Sequence, residues 1–190
     1  MNYEKEMKIP PGFKPPGRSI RIPEASAEIE TILEEESLNQ IRVRFLAYGL
    51  PARLYQLLKK GAKASPFRDE RHEGEMRSLL EGPLGNKLRS DRRFLATVFL
   101  LAADEWLWER VKGYVGEYGV AFDLISVKGA ETDAYFLCLA AKQFAMGKEM
   151  VTMDELSDEE LLSDCMVTLY LDALLMRACG VKVLEKGMIK

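Results

Sequence analysis

The chain has 190 residues, 47% of them hydrophobic and 30% charged, with a formal net charge of -3. That is enough apolar material to bury the core of an ordinary domain, which excludes disorder throughout, and too little net charge to demand a polyanionic partner. The charge is polarised along the chain: residues 40–93 carry thirteen Lys and Arg against six Asp and Glu, whereas residues 94–190 carry nine against sixteen.

Pro10, Pro11, Pro15, Pro16 and Pro23 fix φ and remove backbone donors, so residues 1–23 read as a proline-rich extended arm with Phe13, Ile20 and Ile22 as apolar anchors. Ile29, Ile32 and Leu33 then recur at the spacing of a short helix in Glu-rich surroundings. Ser37 stands three residues before Gln40, the spacing of a capping box, and opens a helix whose inward stripe is Leu38, Ile41, Phe45 and Tyr48. Gly49-Leu50-Pro51 ends it, and Leu54, Leu57 and Leu58 continue in a second helix to Gly61. Ser65-Pro66 is read as the start of an amphipathic helix through Met76, Leu79 and Leu80, weakened by Gly74 and stopped at Gly82-Pro83. Residues 81–91 read as a loop, and residues 82–90 are the place where a helical domain spanning 24–190 would subdivide.

The second half is more apolar. Ser90 or Asp91 caps a helix through RRFLATVFLLAA, apolar on almost every side, and Asp104 caps a shorter one in which Trp106 is assigned to the core and Trp108 to a half-exposed position. Residues 119–129 read as irregular, with loop, short helix and strand all open. A helix from about Asp133 runs to Gly147, followed by two capping boxes, Thr152 with Glu155 and Ser157 with Glu160. The last long helix is expected from Asp158 to Cys179, with Gly180 as its stop and Asp164, Thr168 and Asp172 in one narrow solvent-facing stripe. The apolar helices near 93–103, 134–146 and 158–179 suffice for one core, so the fold class is all-α: an irregular multi-helix bundle with an extended N-terminal arm.

The spacing of reactive residues argues against the familiar chemistries. His72 is the only histidine, and there is no CxxC or HExxH to build a usual zinc site. The acidic run DELSDEE lacks the alternating oxygens and glycine of a calcium loop, and its acids suit helix N-termini. Cys138, Cys165 and Cys179 all fall in apolar stretches and read as reduced, inert thiols of a cytoplasmic protein. Neither GxSxG, a Walker sequence nor GxGxxG occurs, and no cofactor is called for. The longest apolar run, Phe94 to Ala103, is about half of what a bilayer requires, and the N-terminus lacks the pattern of a secretory signal, so no membrane span or export is expected.

Two sets of residues stand out. Arg42, Arg44, Arg53, Lys59, Lys60 and Lys63 surround a helix-turn-helix-like break and are candidate nucleic-acid contacts, though Phe45 is bulky where that motif packs closely, and a solvated basic face is the simpler reading. Asp164 and Asp172, acids on an otherwise apolar helix, are candidate pocket acids.

The segments RRFLATVFLLAADEWLWERVKGYV and VTMDELSDEELLSDCMVTLYLDALLMRACG, with the helix between them, resemble a family of small uncharacterised helical proteins of Gram-positive bacteria and their prophages. The resemblance covers the C-terminal half, leaves residues 1–82 outside, and implies a bacterial or mobile-element setting without supplying a site. The expected function is a non-enzymatic interaction or assembly protein, homo-oligomeric or bound to a protein partner, because so much apolar helix in a small chain is easiest to bury against another surface. Two alternatives stand beside it: a nucleic-acid-associated regulator using residues 40–63, and an enzyme with an acidic site.

Overall fold

The structure, a computed structural model, describes residues 37–46, 50–59 and 65–188. In chain order its helices are α1 (Leu38–Leu46), α2 (Ala52–Lys59), α3 (Glu70–Glu81), α4 (Gly85–Ser90), α5 (Arg92–Ala102) and α6 (Glu105–Val111). They are followed by α7 (Thr132–Met146), α8 (Met153–Ser157), α9 (Asp164–Cys179) and α10 (Lys182–Met188). Between α6 and α7 lie two 3₁₀ turns, Lys112–Tyr114 and Phe122–Leu124, on either side of an antiparallel hairpin formed by β1 (Val115–Gly116) and β2 (Gly119–Val120). In the hairpin Val115 pairs with Val120 and Gly116 with Gly119. The fold is all-α, an irregular helical bundle; the expected arm of residues 1–23 and the helix expected near Ile29 lie outside the described residues.

The core forms where the sequence is least polar. Every residue from Phe94 to Ala102 is buried, because α5 packs chiefly between α7 and α9. A helix apolar on all sides must be surrounded in this way. Thr97 interrupts the run without leaving an orphaned hydroxyl, since its Oγ1 donates to Arg93 O of its own helix at 2.8 Å. The three apolar helices read from the sequence therefore cover one another. The apolar circumference that argued for a partner is consumed inside the chain.

Caps define most boundaries. Ser37 Oγ accepts from Gln40 N while Gln40 Oε1 accepts from Ser37 N, and Thr152 and Glu155 form the same box at α8. Asp91 and Asp104 cap α5 and α6. Gly147 and Gly180 adopt φ of 67° and 73° and stop α7 and α9.

Several expectations are corrected. Ser65-Pro66 does not start α3; Asp69 caps it by accepting from His72 N, and residues 65–69 are bends. The 81–91 stretch holds α4 rather than only a loop, and the open segment contains a short strand and a 3₁₀ turn. The box of Ser157 with Glu160 does not form, because Asp158 Oδ1 accepts from both Glu160 N and Leu161 N. The last long helix consequently begins at Asp164 with Ser163 as cap. The tryptophans are reversed: Trp108 is buried and donates Nε1–H to Glu75, while Trp106 is half-buried with Arg110 stacked 3.7 Å from its ring. The terminal helix α10 carries no strong sequence signal.

Among the described residues no helix is long and apolar enough to cross a membrane.

Candidate functional site

The two residue sets singled out in the sequence meet each other. Arg42, on α1, is 1% exposed, and Asp172, on α9, is 0% exposed. They form a fork-to-fork pair: Arg42 Nε donates to Asp172 Oδ1 at 2.6 Å and Nη2 to Oδ2 at 2.7 Å, while Nη1 donates to Asn39 Oδ1 at 2.9 Å. Such geometry satisfies both carboxylate oxygens and holds the guanidinium plane in register. Burial raises the pKa of the Asp172 carboxyl, and the Arg42 charge and hydrogen bonds oppose that rise.

About two helical turns nearer the N-terminus of α9, the pattern repeats in a wetter setting. Arg53, on α2, donates to Leu156 O at 3.1 Å, to Leu162 O at 2.6 Å and to the exposed Asp164 carboxylate at 3.0 Å. Its Nε faces Glu159 at 3.9 Å, too far for a hydrogen bond. Asp164 is thus a surface acid paired with α2, and Asp172 is a buried one paired with α1. The expected solvent-facing stripe through Asp172 is corrected by its burial.

Arg42 is likewise corrected from a solvated or nucleic-acid-facing position to a buried one. Arg53 is turned onto the body of the protein. The side chains of Arg44 and Lys59, and all of Lys60 and Lys63, lie outside the described residues.

Other arginines of the basic segment are spent in the same fashion. Helices leave their last carbonyls without intrahelical donors, at the negative end of the helix dipole. Arg71 donates to Ala102 O at 2.7 Å and Arg68 to Ala103 O at 3.4 Å, at the end of α5. Arg89 donates to Leu80 O at the end of α3, and Arg92 to Ala178 O at the end of α9. Arg53 does this for Leu156 in α8. Among the described residues, Arg42, Arg53, Arg68, Arg71, Arg89 and Arg92 of this segment thus supply cations to helix ends or to acids of the body.

The remaining buried polar groups also hold the fold. His72 accepts from Arg68 N at Nδ1, which leaves Nε2–H to donate to Phe99 O at 2.9 Å. Its ring packs against both Phe67 and Phe99, at centroid distances of 5.5 and 4.6 Å, in a three-ring cluster. Burial drives its pKa down to about 3, so it is a neutral clamp at physiological pH. Gln143 donates to Tyr170 Oη at 2.7 Å and accepts from Met150 N and Val151 N, pinning the segment after α7. Burial pushes the Cys138 and Cys179 thiols up to about 11. Cys165 departs from the expected buried thiols, being exposed in the first turn of α9.

Among the described residues no group of three or more His, Cys, Asp or Glu could hold a metal ion. Compared with protein-family models, curated proteins and solved structures, the chain matches none.

One surface feature stands apart from these fold-maintaining contacts. Tyr118, in the turn of the hairpin, is 103% exposed, and Leu124 in the following 3₁₀ turn is 65% exposed, with Tyr114 at 41% just before β1. The only readable signal was the clustering of Tyr and Gly in YVGEYG, which marks a turn but not which side faces water.

Proposed function

We propose that the protein is a non-catalytic interaction or assembly protein that self-associates through the protrusion between α6 and α7. The observation that supports this reading is Tyr118, held at the hairpin turn with its whole side chain in water and flanked in sequence by exposed Tyr114 and Leu124. A large apolar group presented on an ordered turn gives nothing to the fold of its own chain, and aromatic side chains are the usual anchors of protein interfaces. A twofold dimer places the same patch on both subunits, so a protrusion of this kind serves as its own partner. The assignment of Arg42, Arg53, His72, Asp172 and Gln143 to fold-maintaining contacts supports a non-catalytic role.

A bacterial or prophage setting is suggested by the resemblance of the C-terminal half, and a cytoplasmic location is supported by Cys138 and Cys179, buried thiols outside any disulfide. Sedimentation velocity across a concentration series tests the reading. The wild type is expected to show concentration-dependent association, and Tyr118→Ser/Leu124→Ser to remain monomeric with unchanged helical content. A wild type that sediments as a monomer at every concentration overturns self-association.

A further inference from the structure

We infer that α1 and α2 form a separable cover on the C-terminal helices, latched by Arg42 and Arg53, which opens while the α5–α7–α9 core stays folded. The packing pattern is the first support. The principal partners of α1 and α2, apart from each other, are α8, α9 and α10, all within residues 153–188, whereas α5 is held mainly by α7 and α9. The cover therefore lies on one edge of the body.

The chemistry of the seam is the second support. A seam closed by hydrocarbon alone exposes only apolar surface on opening, but here opening returns two desolvated charges, Arg42 and Asp172, to water. Hydration of those ions offsets part of the cost of exposing the leucines of α1 and α2. The outer latch opens at still lower cost, because Asp164 is already 65% exposed. Conversely, a lone charge left at the Asp172 site would be strongly unfavourable in a closed seam. Loss of either partner is then relieved by lifting the cover rather than by unfolding α5. The open form presents the Asp172 carboxylate within the apolar face of α9, a surface suited to an amphipathic helix that carries a guanidinium, the chemistry α1 itself supplies.

Native-state hydrogen exchange of the full chain in urea below the unfolding transition tests this. Amides of α1 and α2 are expected to exchange through an opening that α5 and α7 do not share. Asp172→Asn should speed exchange in α1 and α2 by at least about a hundredfold, while α5 and α7 remain the slower class and exchange only through the larger opening. Arg42→Met/Asp172→Leu, which replaces the ion pair with apolar contact, should restore protection to the wild-type level or above. If α1, α2, α5 and α7 exchange together with one urea dependence in the wild type, the cover is not separable and the inference fails. Should Asp172→Asn not fold, the wild-type measurement decides alone; a double variant as open as Asp172→Asn would show that the pair is not the latch.

Discussion

At the residue scale, Arg42 and Asp172 show how context reverses the meaning of a charge. Arg42 stands four residues after Leu38, so helical spacing already placed it beside the apolar stripe, but composition made it look like part of a basic face. Its position was legible and its partner was not, because the two lie 130 residues apart. Buried ion pairs gain little over apolar packing yet are costly to break singly. Arg42→Met is therefore expected to destabilise the protein by about 3–5 kcal/mol, while Arg42→Met/Asp172→Leu equals or exceeds the wild type, by up to about 4 kcal/mol; urea denaturation of the set measures both. His72 gives a pH signature. Its folded pKa of about 3 lies below the unfolded value of 6.5, so the unfolded chain binds the extra proton first. Its contribution to stability is complete above pH 6.5 and is lost as pH falls toward 3, at about 1.4 kcal/mol per pH unit. Urea midpoints between pH 7 and 4 should fall less steeply in His72→Gln than in the wild type.

At the scale of elements, the sequence revealed ends that depend on a single cap and missed those decided by competition. Asp91, Asp104 and Gly147 act as read, whereas Asp158 displaces Ser157 because its carboxylate reaches two backbone donors at once. Two glycines separate local propensity from tertiary packing. Gly74 is exposed within α3 and an added Cβ meets no heavy atom within 4 Å, so Gly74→Ala should raise stability by about 0.5–1 kcal/mol. Gly85 lies where α4 approaches the end of α3: an added Cβ would be 2.2 Å from Leu80 O and 2.9 Å from Arg89 Nη1. A backbone carbonyl cannot step aside as a side-chain end can, so Gly85→Ala should cost about 1–3 kcal/mol. Thermal unfolding of both variants checks the opposite signs.

For the whole molecule, the polarity between a basic N-terminal half and an acidic C-terminal half becomes a map of internal docking. Arg53, Arg68, Arg71, Arg89 and Arg92 each reach helix-end carbonyls, and Arg42 and Arg53 join α1 and α2 to α9. The proposed association through Tyr118 and the proposed opening of α1 and α2 concern two separate regions of the molecule, so the sedimentation series and the exchange experiment test them independently. By itself the sequence determined the all-α class and the three apolar helices that form the core, because burial of a helix face is written in residue spacing within one segment. Only the tertiary structure decided that Arg42 and Asp172 meet, that Trp108 rather than Trp106 turns inward, and that Tyr118 stands in water. Those outcomes depend on which distant surface each side chain faces, and no local periodicity encodes that.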